Sequence, residues 1–135
     1  MPFQFLLDTD ILIYLRRKSS PEISARFRKL EAGEAAMSVI THGELIYGAE
    51  HSGQPERSLR SVSELAALLP VLPLPEQAGT EYGRLRAELE RRGTPIGNND
   101  LWIAAHARVE GLILVTNNEK EFRRIKDLKV ENWAV

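Results

Sequence analysis

The segment FQFLLDTD, residues 3–10, is the most informative about the fold. Its apolar residues follow one another without helical spacing as far as Leu7, which predicts a buried strand over residues 3–7. Asp10 is suitably placed to cap a helix that runs from Ile11 to about Arg17. The segment therefore predicts a strand that passes directly into a helix, with acidic residues at the junction.

The same alternation of strand and helix continues along the chain. Further strands are predicted at residues 35–37, 71–74, 112–115 and 129–132, and further helices at 22–31, 39–51, from after Pro55 to about 69, 76–92, 100–109 and 118–124. Strands that alternate with helices predict a three-layer α/β/α domain around a mostly parallel sheet. No internal repeat, low-complexity tract or linker interrupts the pattern, so residues 1–135 are expected to form one domain.

Composition excludes several classes of protein. A chain of 135 residues with 43% hydrophobic and 27% charged residues is typical of a globular domain rather than a disordered or coiled-coil chain. With no cysteine there is no disulfide, thiolate zinc site, iron–sulfur cluster or cysteine nucleophile. No apolar run approaches the ~20 residues that span a bilayer, and the N-terminus lacks a signal peptide's basic segment. The net charge of −1 neither predicts nor excludes nucleic-acid binding.

Aspartate is scarce, and its placement is informative. Only four of the 19 acidic residues are aspartates, and none lies between residues 11 and 99. Polar clusters occur at predicted strand ends or helix starts: Asp8-Thr9-Asp10, Asn98-Asn99-Asp100 and Thr116-Asn117-Asn118. Glu44 lies inside the helix after the second strand. Parallel sheets bind ligands beyond the carboxyl ends of their strands, and carboxylate and amide oxygens suit a hard cation such as Mg²⁺ or Mn²⁺.

Structural roles compete with this interpretation. Asp10 fits a plain helix N-cap, and Asn98 or Asn99 fits the cap of the helix that starts at residue 100, with Asn99 the one that a plain cap explains. Thr41 to Glu44 fits a capping box, and Asn117-Asn118 fits a turn. Gly48, one turn beyond Glu44, costs a helix about 1 kcal/mol, which suggests that something approaches the helix there. The histidines do not support a zinc site, because helical spacing turns His42 away from Glu44 and His106 away from Asp100.

The ordered set of motifs resembles the PIN-domain ribonucleases, and specifically the VapC toxins of type II toxin–antitoxin pairs. The residues that carry the resemblance are Leu6-Leu7-Asp8-Thr9-Asp10-Ile11-Leu12, Glu44-Leu45-Ile46-Tyr47-Gly48, residues 95–107 around Asn98-Asn99-Asp100, Val115-Thr116-Asn117-Asn118 with Glu121-Phe122, and Val130-Glu131-Asn132-Trp133. The resemblance spans the whole chain. It implies a PIN-like fold and a Mg²⁺- or Mn²⁺-dependent endoribonuclease that leaves a 5′-phosphate and a 3′-hydroxyl.

The resemblance also implies roles for individual residues. Asp8, Glu44 and Asp100 match the three acidic metal ligands, and Asn118 stands where many PIN domains carry a fourth, catalytic acid. Glu121, one turn on, could supply the missing charge. The side chains expected to position phosphate oxygens or waters are those of Thr9, Asn98, Asn99, Thr116 and Asn117.

Partners and location follow from the same resemblance. It implies inhibition by a VapB-type antitoxin, an RNA substrate, a homodimer that can join a larger toxin–antitoxin assembly, and a bacterial or archaeal cytoplasmic location. The first helices are a candidate groove for an antitoxin helix, although core packing explains each of their apolar residues separately. These residues are Ile11, Leu12, Leu15, Ile23 and Phe27. Lys120, Arg123, Arg124 and Lys126 form the basic cluster expected to lie nearest the site and to contact RNA.

Two other functions fit parts of the sequence. A receiver-like signalling domain has a similar length and α/β order, but it needs an aspartate at the end of its third strand, and residues 11–99 contain none. A PIN-like domain that binds RNA or a partner without cleaving RNA is motivated by Asn118, which brings no charge to the fourth acidic position.

Overall fold

The computed structural model describes residues 3–135, which form a parallel sheet with helices on both faces. The strands are β1 (Phe5–Leu7), β2 (Ala35–Ser38), β3 (Val71–Leu72), β4 (Ile113–Val115) and β5 (Val130–Glu131). The helices are α1 (Thr9–Arg17), α2 (Pro21–Arg28), α3 (Val39–Glu50), α4 (Pro55–Leu68), α5 (Gln77–Arg91), α6 (Asn98–Glu110) and α7 (Glu119–Phe122). Met1 and Pro2, at the start of the predicted domain, lie outside the described residues.

The sheet has the strand order β3-β2-β1-β4-β5, and every neighbouring pair is parallel. The chain builds outward from β1 through β2 to β3, and then returns to the other side of β1 to add β4 and β5. The strand order thus reverses between β1 and β4. The carboxyl ends of two strands on either side of such a reversal leave a crevice, the usual position of a binding site in an open α/β sheet.

Alternate residues of β1 face opposite layers of helices, which confirms the predicted three-layer arrangement. Phe5 and Leu7 belong to one buried cluster with residues of α1 to α4, whereas Leu6 belongs to a second cluster with residues of α5 to α7. Both faces of β1 are therefore apolar, as a central parallel strand requires. Trp133 closes the edge of the first cluster with its ring edge-on to Phe5, at a centroid distance of 5.2 Å.

Several helices start one or two residues before their predicted positions. Asp8, not Asp10, caps α1, because Asp8 has the extended backbone of a cap and accepts a hydrogen bond from the Thr9 amide. Helix α6 starts at Asn98 with Gly97 as its N-cap residue, so the prediction that Asn98 or Asn99 caps it is wrong.

Other helix ends follow their turn chemistry. Ser38 caps α3 and accepts a hydrogen bond from the Ile40 amide, which leaves Thr41 inside the first turn and excludes the Thr41–Glu44 capping box. Gly111 ends α6 in the left-handed conformation that glycine favours. Helix α2 ends at Arg28, before the predicted end at residue 31, and Gly33 forms part of the following turn at φ 88°.

The apolar residues of the first two helices are largely core residues. Ile11, Leu12 and Ile23 are completely buried, and Leu15 and Phe27 pack partly buried against the same cluster. The groove predicted for an antitoxin helix is therefore not formed by the first three of these side chains. Within residues 3–135, every helix is too short or too polar to span a lipid bilayer.

Candidate metal centre

A cavity of about 270 Å³ opens at the crevice between β1 and β4. It is lined by Asp8, Thr9, Asp10, Ile13, Glu44, Asp100 and Asn118. These residues come from the β1–α1 junction, the middle of α3, the start of α6 and the loop after β4, so four separate segments meet there. The sheet thus brings Asp8, Glu44, Asp100 and Asn118 into one cavity, as the sequence predicts.

Asp8 is the most buried carboxylate of the cavity, with 5% of its surface exposed. One oxygen accepts a hydrogen bond from the Thr9 amide and the other from the Thr116 hydroxyl, both at 2.8 Å. Burial, together with the charge of neighbouring Asp10, raises the pKa of Asp8 to about 7. Thr116 is itself completely buried, so its role in the structure is to hold Asp8 and not to line the cavity.

Glu44 is held between two segments by both of its carboxylate oxygens. Oε1 accepts a short hydrogen bond from the Thr9 hydroxyl, and Oε2 accepts from the Asn99 side-chain amide at 3.3 Å. These contacts tie the middle of α3 to the starts of α1 and α6. Asn98 and Asn99 line a neighbouring cavity that Glu44 and Asp100 also line, and neither asparagine lines the first one.

Asp100 lies beside a second carboxylate, that of Glu121. Burial, then the charges of Glu121 and Glu44, raise the pKa of Asp100 to about 6. The Asn118 side-chain amide donates to Glu121 at 3.2 Å. Asn118 and Glu121 are therefore neighbours next to Asp100, and Glu121 brings to this corner the negative charge that Asn118 lacks.

Asp10 is the residue of this cavity that sequence analysis assigned a different role. Its Oδ2 accepts from the backbone amide of Asn117 at 3.3 Å, while its Oδ1 is buried without a hydrogen-bond partner. Burial raises the pKa of Asp10 above its ordinary value. The signal was present in the sequence, because Asp10 is one of only four aspartates and lies two residues from Asp8.

Three sets of side chains lie outside the lining of this cavity: His106, Asn117 and the basic cluster. The His106 ring is buried, with Nδ1 2.9 Å from the Ser38 hydroxyl, and burial lowers its pKa. Asn117 acts on Asp10 through its backbone, and its side chain contacts Tyr14 and Asn132. In the basic cluster, Arg123 pairs with Glu119, and Arg124 donates to the Pro95 carbonyl.

The donor set fits a hard divalent cation. Every charged ligand candidate is a carboxylate, and the unpartnered Oδ1 of Asp10 lacks a positive or donating group. As placed, no three acidic or histidine side chains among residues 3–135 converge on one point. Glu44 is turned toward Thr9 and Asn99, so binding a cation would require side chains to rotate toward the cavity centre.

Comparison with known proteins identifies the family. Residues 5–128 match the family described as PIN domain. The ribonuclease VapC2 of Haemophilus influenzae is 44% identical over 131 residues, which cover 97% of this chain and 98% of that protein. The chain belongs to the PIN-domain family. Within this family it is a VapC-type protein, which excludes the receiver-like alternative.

Two further comparisons agree with this assignment. The tRNA(fMet)-specific endonuclease VapC of Shigella flexneri is 43% identical over 131 residues, covering 97% of this chain and 98% of the relative. The solved structure of VapBC-1 from nontypeable Haemophilus influenzae superimposes with a TM-score of 0.91 at 41% identity, covering 98% of this chain and 100% of that one. The predicted α/β/α PIN-like fold is confirmed.

Proposed function

We propose that this VapC-type PIN domain is the toxin of a VapBC-type pair, an endoribonuclease that requires Mg²⁺ or Mn²⁺ and is inhibited by a VapB antitoxin. The observation that carries the proposal is the acidic cavity at the sheet's reversal point. Asp8, Glu44 and Asp100 would hold the cation, with Asp10 and the Asn118–Glu121 pair beside them. A bound cation would lower the pKa of a water and neutralise charge on the scissile phosphate.

The side chains around the cavity have positioning roles in this proposal. Thr116 and the Thr9 amide fix Asp8 in one rotamer, so one carboxylate is preorganised before substrate arrives. Asn99 and Thr9 hold Glu44 at the edge of the cavity, from which its side chain would rotate inward to bind the cation. Asn98 and Asn117 are exposed at the rim, where their amides can donate to phosphate oxygens.

RNA is the proposed substrate and the cytoplasm the proposed location. The relative from Shigella flexneri is named as specific for tRNA(fMet), so initiator transfer RNA is the first defined substrate to try. The solved neighbour VapBC-1 supports a VapB-type partner. We expect the antitoxin-free protein to be a homodimer.

The test is cleavage of total bacterial RNA and of initiator transfer RNA by purified, antitoxin-free protein with Mg²⁺, Mn²⁺ or EDTA. Asp100→Asn is the test variant, and Asp127→Asn is its matched control, because Asp127 is exposed and lines none of the cavities around Asp100. We expect discrete fragments from wild type and Asp127→Asn in either metal, and none from Asp100→Asn or in EDTA. Cleavage that survives EDTA or Asp100→Asn would contradict the metal-dependent mechanism.

The competing function is RNA or partner binding without cleavage. Asn118 motivated it, but the adjacent Glu121 carboxylate supplies acidic charge at that corner. Folded wild-type protein that binds Mn²⁺ and RNA but produces no fragment in any metal would establish the binding-only function instead.

A further inference from the structure

One stripe of helix α3 is exposed beside the acidic cavity and has no partner within the described chain. Val39, Gly43 and Tyr47 follow one another at four-residue spacing, so they share a helix face. Tyr47 is 69% exposed and Val39 39% exposed. The Tyr47 ring stacks on the next residue of the stripe, His51, with an interplanar angle of 10°. A flat aromatic surface thus faces solvent on this helix.

A second cavity, of about 600 Å³, lies along this stripe next to the acidic site. It is lined by Val39, Ile40, Gly43, Glu44, Tyr47 and Asn99. Glu44 lines the acidic cavity as well, so the two cavities adjoin at this one side chain. Glu44 and Tyr47 are three residues apart on the helix, which places their Cβ atoms about 5–6 Å apart. This separation lies within the span of one nucleotide.

The glycines of α3 leave this surface open. A Cβ added at Gly43 or Gly48 would meet no atom within 4 Å, so packing within the described chain does not require either glycine. A glycine inside a helix nevertheless costs about 1 kcal/mol relative to alanine. Gly43 also lies in the floor of the cavity, where any side chain would reduce the space beside Tyr47. The helix is therefore less stable than it would be with alanine at Gly43, a position where a ligand would need room.

We propose that this groove binds a nucleobase of single-stranded RNA next to the scissile phosphate, with the Tyr47 ring as its stacking platform. The proposal rests on the ribonuclease function proposed above and adds a substrate subsite to it. Every base has a face that stacks on tyrosine, and the Asn99 side chain, which can hydrogen-bond a base edge, also lines the groove. The base would anchor the strand while its phosphate reaches the carboxylates.

A second protein chain fits this surface less well than a base does. A stable protein interface buries about 800 Å² on each partner around an apolar centre. Among the described residues of this groove, only Val39 and Tyr47 are large exposed hydrophobic side chains. A packed helix would also cover the Glu44 carboxylate and the Asn99 amide, which a polar-edged base can leave solvated or can hydrogen-bond.

The first measurement is RNA affinity in the Asp100→Asn background with Mg²⁺. The probe is a fluorescein-labelled single-stranded RNA of about ten nucleotides containing all four bases. Tyr47→Leu removes the aromatic face but keeps a good helix former, and we expect it to raise the Kd by about 5- to 100-fold. Tyr47→Phe, which keeps the ring, should restore most of the affinity. Leu68→Ala is the control, because Leu68 is similarly exposed (66%) and lines a different cavity.

The second measurement reports stacking directly. A 2-aminopurine placed at successive positions of the same RNA should lose fluorescence on binding at one position, and Tyr47→Leu should abolish that loss. In the otherwise wild-type enzyme, Tyr47→Leu should raise KM for RNA cleavage more than it lowers kcat. If Tyr47 had only a structural role, Tyr47→Leu would lower the melting temperature instead. Because the side chain is exposed, we expect this substitution to change the melting temperature by no more than about 2 °C.

The outcomes separate the base platform from the ribonuclease function. A Tyr47→Leu variant that binds and cleaves RNA like wild type would contradict the stacking role of Tyr47 and leave the proposed ribonuclease function intact. A change in sedimentation of Tyr47→Leu without a change in RNA affinity would assign the surface to contact between two copies of the chain. Wild-type protein that never cleaves RNA in metal would overturn the proposed function, and the subsite with it.

Discussion

The chemistry of the Asp8 side chain depends on how completely it is buried. A carboxylate with two hydrogen bonds would ordinarily titrate low, but burial and the charge of Asp10 outweigh the bonds from Thr9 and Thr116 and bring the pKa of Asp8 to about 7. Without a cation, a proton is the only positive charge available to it. Proton and cation therefore compete for the same oxygens, which couples pH to metal binding.

The metal-free protein should lose stability as pH rises from about 4 to about 7. The folded state keeps a proton on Asp8 up to a pKa of about 7, whereas the unfolded carboxyl loses it near 3.8. The folded state thus binds more protons between these values, and the free energy of unfolding falls by up to about 1.4 kcal/mol per pH unit. Urea unfolding of wild type and Asp8→Asn in EDTA measures the difference.

The comparison with Asp8→Asn isolates this carboxyl from other titrating groups. His106 acts in the opposite direction, because its pKa is lowered by burial and its contribution to stability is lost as pH falls below about 6.5. Asp8→Asn should have a flatter profile than wild type between pH 5 and 7, and Mg²⁺ should flatten the wild-type profile too. Parallel profiles of the two proteins would contradict the assignment.

Asp10→Asn should weaken cation binding without destabilising the metal-free fold. The substitution removes a charge that repels Asp8 and Glu44, and the amide oxygen can still accept from the Asn117 amide. We expect the Kd for Mn²⁺ to rise about tenfold, while the metal-free melting temperature stays the same or rises. Isothermal titration with Mn²⁺ tests this beside Asp127→Asn, and equal affinity in all three proteins would show that Asp10 does not face the cation.

At the scale of the element, the start of α3 is fastened to α6. The Ser38 hydroxyl accepts from the Ile40 amide and lies 2.9 Å from His106 Nδ1, so one buried hydroxyl both caps the helix and partners the imidazole. His106 Nε2 is buried without a partner. This contact positions the helix that carries Glu44 and Tyr47.

Ser38→Ala should lower the free energy of unfolding by about 1–2 kcal/mol, because it removes a cap and leaves both ring nitrogens of His106 unpartnered. In the Ser38→Ala protein, His106→Leu should lower the free energy of unfolding by less than it does in wild type, because the ring nitrogens that it removes already lack partners. A double-mutant cycle by urea unfolding measures the coupling. Additive effects would indicate that the hydroxyl and the ring do not interact.

The sequence predicts the strands more reliably than it predicts the helix starts and the roles of the site residues. The strands are recognisable because both faces of β1 and β4 are apolar, and no helical spacing competes with that pattern. Helix starts are harder to predict, because an aspartate after a strand suits a cap and a metal ligand equally. Asp8 performs the capping role, and this frees Asp10 to face the cavity. The Glu121 contact with Asn118 follows from the short helix that the sequence predicts at residues 118–124 and that forms as α7.

At the scale of the whole molecule, the two layers of helices share one sheet. Leu6 packs in one buried cluster while Phe5 and Leu7 pack in the other, and Leu6 is paired in register with Leu114 of β4. Neither layer keeps a complete core when β1 detaches. Unfolding should therefore be a single cooperative transition.

The two tryptophans allow each layer to be monitored separately. Trp133 belongs to the first cluster, and Trp102 stacks on Tyr82 in the α5–α6 layer at a centroid distance of 3.9 Å. We expect the single-tryptophan variants Trp102→Phe and Trp133→Phe each to show a fluorescence midpoint that coincides with its own circular-dichroism midpoint. Separated midpoints within either variant would mean that one layer unfolds before the other.

The reversal of strand order between β1 and β4 also has a consequence for synthesis of the protein. The cavity combines residues 8–10 and 44 with residues 100 and 118, which the ribosome adds much later. A nascent chain that has emerged only as far as β3 carries three of the four carboxylates that line the cavity and lacks Asp100 and strand β4. We therefore expect the proposed ribonuclease to be inactive toward the messenger that encodes it, and toward the ribosome translating it, until β4 has been inserted beside β1.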